Sequence, residues 1–280
     1  MDRVEQIASR AGDLPPLPQV ASKVVQLVAD PDSSAGDLVR VISRDQALTV
    51  KVLKIANSAL FGVSQAVTTL SRAITLLGFN TLRSLVIAAS TQALFRSKPT
   101  SSFQDRILWE HSLAVALAGR LVARRSRYRG IEEAFVSGLV HDIGKAVMDR
   151  NIAEQYQRVV ELVYNDGIPF LEAEQAVLGF DHTTVGALVV RKWKLGETYE
   201  EAVQCHHDPR AATVDPKLSA VVSLANALCV RVGIGPERRP ELDFGSLPAL
   251  EMLGVEVAEI EEMTQEVEKA FKEEKELFRL

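Results

Sequence analysis

The stretch FVSGLVHDIGKAV, residues 135–147, places His141 and Asp142 side by side near the end of an apolar helix. The apolar residues before the pair have the spacing of one buried helical face. A single histidine beside such a face is usually a satisfied core residue. Two adjacent side chains that can both bind metal are better candidates for ligands, provided that the rest of the chain supplies more of them. The stretch therefore predicts a buried polar site.

The other residues with suitable chemistry lie in the same part of the chain. All five histidines come after residue 105: His111, His141, His182, His206 and His207. Neutral imidazole together with carboxylate suits Fe, Mn, Zn or Ni. We therefore expect these histidines and Asp142 to bind one or two divalent metal ions. Asp142 could bridge two metals about 3.5–4 Å apart, which together activate a water and hold a phosphate, and Lys145 could face a phosphate oxygen.

Each of these residues also has a simpler explanation. Asp142 could cap the helix that follows it, or the pair could persist as a buried polar network without metal. His207 could be an exposed neighbour of His206, because adjacent residues on a helix point about 100° apart. Lysines such as Lys145 lie more often on the solvated surface than on a phosphate.

The composition is that of an ordinary globular chain rather than a disordered one. Of the 280 residues, 47% are hydrophobic and 25% are charged, and the net charge is −5. This acidic balance argues against a general nucleic-acid binder. The basic run RRSRYR at 124–129 is most simply a solvated loop, although an anionic ligand could bind there. We find no strong nucleic-acid signal.

Three features predict a cytoplasmic protein that does not enter a membrane. The start of the chain, MDRVEQIASR, lacks the apolar core of a signal peptide. The apolar stretches at 85–89 and 218–230 are too short, or too often interrupted by polar residues, to cross a bilayer. The two cysteines, Cys205 and Cys229, lie in unrelated contexts and indicate free thiols in a reducing compartment.

Apolar residues recur at helical spacing along the chain, and no alternating strand pattern is clear. The expected fold class is therefore all-α. Ser34 with Asp37 three residues later resembles a capping box, and Asp181 could cap another helix. These local signals predict where two of the helices begin.

The aperiodic stretch at 96–104, RSKPTSSFQ, predicts a boundary between two units. We expect an N-terminal helical bundle over 1–96 and a second helical subdomain over 105–280. From Leu250 to Phe271, apolar residues step by three or four, which predicts one long acidic amphipathic helix. Its acidic side would face water, and its apolar stripe would meet a partner helix only if the chain itself leaves that stripe uncovered.

The motifs of the second subdomain resemble a known superfamily. His111 followed by HDIGK is similar to the HD superfamily of metal-dependent phosphohydrolases. His182 and the pair His206-His207 resemble additional histidines of the HD-GYP branch, which cleaves cyclic di-GMP. Two departures argue against that activity. The late aspartate of the superfamily is replaced by Asn226 in SLANALCV, a poorer ligand, and the GYP signature is missing from HHDPRAAT.

A second resemblance covers about residues 14–230. LPPLPQVASKVVQLVADPDSS at 14–34, VISRDQALTVKVLKIANSALFG at 41–62 and SRAITLLGFNTLRSLVI at 71–87 are similar to the HDOD domain, the HD-related output domain of bacterial signalling proteins. The motifs WEHS, HDIGK, HHDP and LAN also fit this family. The resemblance implies a bacterial source, an HD-like second subdomain and a role in signal transduction.

The sequence leaves two functions open. One is a regulatory module that binds a signalling protein or a nucleotide and keeps part of an HD metal site, with little or no catalysis. The other is a di-metal phosphohydrolase acting on a nucleotide, a cyclic dinucleotide or another phosphoester. In that enzyme Asp142 would bridge the metals and Lys145 would hold the phosphate. The sequence does not decide the oligomeric state.

Overall fold

The structure is a computed structural model that describes residues 3–58, 61–63, 65–95 and 103–275. The described residues form helices, turns and short 3-10 segments, without a strand, so the all-α prediction is confirmed. The first helices are α1 (Arg3–Arg10), α2 (Gln19–Ala29), α3 (Ala35–Ile42), α4 (Gln46–Ala56) and α5 (Leu70–Thr91). They are followed by α6 (Phe103–Arg125), α7 (Ile131–Val140), α8 (Ile143–Asn151), α9 (Ala153–Asp166), α10 (Phe170–Leu178), α11 (His182–Trp193), α12 (Glu197–Cys205), α13 (Pro216–Val232), α14 (Pro248–Leu253) and α15 (Ile260–Glu274).

One hydrophobic core connects the early and the late helices. Its buried side chains run from Ile7 on α1 to Phe271 on α15. Helix α6 packs against α7, α13 and α15, and α5 packs against α7, so the N-terminal helices contact the helix that leads to His141. Most of the boundary predicted at 96–104 lies outside the described residues. The division into subdomains at 1–96 and 105–280 therefore stays a prediction.

Two helices begin where local chemistry predicts. The Ser34 hydroxyl accepts a hydrogen bond from the Asp37 backbone N–H, and the Asp37 carboxylate accepts one from the Ser34 N–H, which completes the capping box of α3. The Asp181 carboxylate accepts a hydrogen bond from the Thr184 backbone N–H at 2.9 Å and so caps α11. These bonds satisfy backbone donors that the first turn of a helix leaves unpaired.

Helix α5 is the described helix whose length and composition would allow it to cross a membrane, with a mean hydropathy of 1.4 over its best window. Half of that window is buried inside the protein. Gly78, with φ of 80°, also breaks the helical backbone within it. Buried helices of globular cores pass the same test, and we interpret α5 as a core helix.

The long helix predicted from Leu250 to Phe271 is not continuous, and this prediction is wrong. Helix α14 ends at Gly254, whose φ of 65° lies in the left-handed region that glycine adopts readily. A 3-10 turn at Val257–Glu259 then leads into α15. The apolar spacing continues across this break, so periodicity alone could not detect it. The apolar stripe of α15 is buried within the chain: Met263, Val267 and Phe271.

Side chains of the basic run at 124–129 bind acidic groups of the chain. Arg125 pairs with Glu262 at 3.0 Å and with Glu266 at 2.5 Å, both on α15. The Tyr128 hydroxyl donates a hydrogen bond to the Asp215 carboxylate at 2.7 Å. These contacts favour a structural role for the run over binding of an anionic ligand.

Candidate metal centre

The predicted ligands meet around the junction of α7 and α8. We call them together the HD centre: His111 on α6, His141 and Asp142 between α7 and α8, His182 at the start of α11, and His206 and His207 after α12. All are buried except His207, which keeps an exposed side. Helix α8 approaches α11 closely because residue 144 is a glycine. A Cβ atom at Gly144 would lie 2.1 Å from the His182 carbonyl oxygen.

One oxygen of the Asp142 carboxylate, Oδ2, faces the side of the centre formed by α6 and α7. It lies 2.9 Å from Lys145 Nζ, 3.4 Å from His141 Nε2 and 3.6 Å from His111 Nε2. Asp142 occupies the position that precedes α8, but its side chain makes no capping hydrogen bond. The alternative of a helix cap therefore does not explain this residue.

The other oxygen of Asp142, Oδ1, faces the histidines that follow the HD pair in sequence. It lies 3.3 Å from His182 Nε2 and 3.9 Å from His206 Nε2. His207 joins this side through its Nε2, which is 3.1 Å from His182 Nε2. His207 is thus exposed, as the simpler explanation of this residue predicted. It is nevertheless also a member of the histidine cluster. Asp142 stands between two groups of imidazoles.

Hydrogen bonds to backbone carbonyls fix the orientation of three imidazoles. Each ring uses Nδ1 for this contact: His111 to Ile234 O at 2.7 Å, His141 to Gly138 O at 2.8 Å, and His206 to Val203 O at 2.7 Å. A carbonyl oxygen only accepts, so Nδ1 carries a proton and Nε2 is the ring atom that remains to contact a ligand. This is how proteins orient histidines that bind a metal through Nε2.

The fourth imidazole is held by a buried carboxylate that the sequence analysis missed. Glu174 on α10 accepts hydrogen bonds from His182 Nδ1 at 2.6 Å and from the His182 backbone N–H at 2.8 Å. The Tyr156 hydroxyl donates to the other Glu174 oxygen at 3.3 Å. The sequence did contain a signal that Glu174 is buried. Phe170, Glu174 and Leu178 follow one another at intervals of four residues, and they share the buried face of α10.

A second missed contribution comes from the loop after α13, which the sequence analysis described simply as a loop. Its Ile234 carbonyl orients His111. The next residue, Gly235, has φ of 135°, and a Cβ atom there would lie 2.5 Å from His111 Nδ1. The chain can pass this close to the imidazole because position 235 has no side chain.

The centre contains buried polar atoms that have no hydrogen-bond partner among the residues that the structure describes. They are His141 Nε2, Asp142 Oδ1 and His206 Nε2. A buried polar atom without a hydrogen-bond partner costs about 1–3 kcal/mol, so a purely structural network explains this arrangement poorly. Ligand atoms lie within 4.8 Å of one another in two sets: His111, His141 and Asp142, and His182, His206 and His207. This donor set fits a divalent metal of the Fe, Mn, Zn or Ni type.

Burial and neighbouring groups keep His111 and His206 neutral and Asp142 ionised. Burial, assisted by His141, lowers the pKa of His111 to about 4. Burial and the adjacent His207 hold the pKa of His206 well below its ordinary value. Burial alone would raise the pKa of Asp142, but His141 and Lys145 hold it well below its ordinary value. Neutral imidazoles and an ionised carboxylate are the forms that bind metal.

Lys145 is not a surface residue in the structure. Its side chain is buried, with 4% of the residue exposed, and its Nζ binds Asp142 and lies 4.5 Å from the centre of the Phe170 ring. Burial alone would lower the pKa of this amine, but the carboxylates of Asp142 and Glu174 raise it above its ordinary value. Lys145 is therefore an ammonium held by Asp142.

A cavity of about 350 Å³ adjoins the centre on the side of His206 and His207. Asn226, Glu237 and Arg239 contribute polar groups to its wall. The Asn226 side-chain oxygen is buried and has no hydrogen-bond partner within the described part of the chain. The volume is within the range of pockets that bind small ligands. The structure thus brings Asn226 to the same cavity wall as two of the predicted ligands.

Several solved structures have the same fold. A crystal structure of an HDOD domain protein with unknown function from Geobacter sulfurreducens is 25% identical and aligns with a TM-score of 0.83 over 99% of this chain and 97% of that chain. A candidate phosphohydrolase from Shewanella amazonensis SB2B is 23% identical, with a TM-score of 0.76 over 97% and 96%. A candidate signal transduction protein from Marinobacter aquaeolei VT8 is 20% identical, with a TM-score of 0.77 over 99% and 61%.

Sequence comparisons identify the family. A protein of Treponema pallidum (strain Nichols), described as uncharacterized, is 26% identical over 222 residues, which are 79% of this chain and 43% of that protein. The chain therefore spans less than half the length of this relative. The model of the HDOD domain matches residues 14–209, which is more than half of the chain and includes the HD pair and every histidine of the centre. The chain belongs to the HDOD domain family.

Proposed function

We propose that this HDOD protein is a regulatory signalling module whose HD centre holds divalent metal and whose adjoining cavity receives a group from a partner protein or a nucleotide. One observation carries the proposal: four imidazoles present Nε2 toward the two oxygens of Asp142, while three of the atoms gathered there have no hydrogen-bond partner. His111, His141, Asp142, His182, His206 and His207 would hold the metal.

Two features favour binding over hydrolysis. Asn226 supplies a neutral amide where related sites carry an acid, which leaves the centre with less negative charge to hold metal. Lys145 is bound to Asp142 and is therefore not free to hold a substrate phosphate. The Glu237 carboxylate on the cavity wall pairs with Arg239 at 2.8 Å, so that wall is polar without a strong net charge.

A second candidate function is a di-metal phosphohydrolase. The arrangement of Asp142 favours it, because one oxygen faces His111 and His141 while the other faces His182 and His206. Metals bound on both sides would polarise a phosphoryl oxygen and lower the pKa of a water molecule. In this candidate Asp142 would help to hold both metals, and Lys145 would have to leave Asp142 to contact the phosphate.

The test is elemental analysis of the full chain purified without chelator, before and after incubation with Fe, Mn, Zn or Ni. We expect bound metal in the wild type and in the control Asp208→Asn, which changes an exposed acid beside the centre. His141→Ala should lose most of it. A folded wild type that takes up none of the four metals contradicts both candidate functions.

Calorimetry with nucleotides, with and without metal, then separates the two candidates. The signalling module predicts nucleotide or partner binding without turnover. Rapid metal-dependent release of phosphate or cleavage of a cyclic dinucleotide would instead establish the phosphohydrolase.

A further inference from the structure

We infer that Lys145 serves as a built-in cation on one side of Asp142, so that the HD centre takes one divalent ion, on the side of Oδ1, rather than two. The inference rests on the proposed metal centre and makes it more specific. It assigns to Lys145 a role in limiting metal stoichiometry, in place of the phosphate contact that its position in the sequence suggests.

The first argument is the position of the ammonium group. Lys145 Nζ is 2.9 Å from Asp142 Oδ2, closer than the nearest imidazole nitrogen, His141 Nε2, at 3.4 Å. A metal bound to Oδ2 would lie about 2.0–2.2 Å from that oxygen. Two cations would then share one carboxylate oxygen inside the protein, where their mutual repulsion is only weakly screened.

The second argument is that Lys145 is held in place. Its side chain is buried among α8, α10 and the centre, and its Nζ lies 4.5 Å from the centroid of the Phe170 ring. A cation at this distance from an aromatic face is stabilised, the more so when water is excluded. Movement of the ammonium away from Asp142 would give up both contacts. Lys145 is thus a fixed part of the site.

The third argument is the charge of the buried groups. Asp142 and Glu174 supply two negative charges to the centre, and Lys145 supplies one positive charge. One divalent ion would leave a single net positive charge, whereas two ions would leave three. Uncompensated buried charge is costly, and Asn226 adds no negative charge from the cavity wall. One ion is therefore the better match to this set of residues.

The fourth argument is that the two sides of Asp142 differ. Oδ1 makes no hydrogen bond to any described residue, and His182, which faces it, is hydrogen-bonded to the Glu174 carboxylate. A carboxylate behind a histidine increases its strength as a ligand. His206 faces the same oxygen with its Nε2 at 3.9 Å, and this Nε2 has no partner among the described residues.

The experiment uses Mn²⁺ alone as the probe. Metal-free full-length protein is loaded with Mn²⁺ and desalted, bound Mn per chain is measured, and the electron paramagnetic resonance spectrum shows whether the ions are isolated or exchange-coupled. Lys145→Met removes the charge but keeps an unbranched side chain against Phe170. Lys217→Met makes the same change at an exposed position on α13.

We expect one Mn per chain with an isolated-ion spectrum in the wild type and in Lys217→Met, and two in Lys145→Met. A wild type with two coupled ions would overturn the inference and leave the metal centre standing. Lys145→Met with a single ion would overturn it as well. A wild type that binds no Mn would contradict the proposed centre itself. If Lys145→Met does not fold, the Mn content of Lys145→Gln and the wild-type spectrum test the same stoichiometry.

Discussion

The N-terminal helices and the HD centre differ in how completely their polar side chains are hydrogen-bonded. In the first region, three polar side chains complete their hydrogen bonds on backbone carbonyls: Asn57 bonds to Leu53 and Val67, Ser84 to Asn80, and Thr91 to Ile87. At the centre, His141 Nε2, Asp142 Oδ1 and His206 Nε2 are buried without a partner. The hydroxyls of Ser33 and Ser58 are also unpartnered, but no convergent set of imidazoles and carboxylate surrounds them.

This difference separates polar groups that hold the fold together from polar groups that are available to a ligand. A side chain that bonds to a nearby backbone group completes local structure and has little left to offer a ligand. A buried donor set with free lone pairs costs stability until something binds to it. The two regions should therefore respond in opposite ways to substitution, one in stability and the other in metal affinity.

The largest effect is expected for His206→Phe. Because outer-shell changes alone typically cost 10–100-fold in metal affinity, loss of a ligand should cost more than about 100-fold. The unfolding free energy of the metal-free protein should fall by only about 0.5–1.5 kcal/mol, since the variant loses the Nδ1 hydrogen bond to Val203 O while Nε2 has no partner to lose. Competitive Zn²⁺ titration and urea unfolding in the presence of chelator measure these two quantities. Unchanged affinity with a large loss of stability would make His206 a structural residue.

A smaller effect on metal affinity is expected for Glu174→Gln. The amide can still accept hydrogen bonds from His182, but it no longer contributes the negative charge that strengthens this ligand. We expect an affinity that is about 10–100-fold weaker. The matched control is Glu161→Gln, at an exposed position of α9, which should leave affinity within about twofold. Equal affinity in both variants would remove Glu174 from the metal centre.

The smallest effect is expected for Asn57→Ala, which should lower the stability of the protein and leave its metal affinity unchanged. Asn57 donates to the carbonyls of Leu53 at 2.7 Å and Val67 at 2.8 Å, and it accepts from the Val67 N–H at 2.7 Å. Its exposed position limits the loss to about 1–2 kcal/mol of unfolding free energy. Metal affinity should not change. If affinity fell as it does in Glu174→Gln, the two regions would be coupled and the comparison would fail.

Much of the fold could be predicted because its signals are local. The capping box of α3 depends on Ser34 and Asp37, which are three residues apart. The start of α11 depends on Asp181 and Thr184, which are also three residues apart. The long C-terminal helix was predicted wrongly for a related reason. Apolar spacing reports which residues face the core, and that spacing continues past Gly254 although the backbone turns there.

The sequence by itself determined an all-helical HDOD chain and which imidazoles and carboxylate could form a site, because composition, periodicity and motif order carry that information. The tertiary structure decided how those groups are used. It placed Ile234 behind His111, Glu174 behind His182, and the Lys145 ammonium on Asp142. These contacts join residues on different helices and loops or depend on which way a side chain turns. The free energy of burying a charge is set by all of its neighbours together, and those neighbours are defined only when the helices pack.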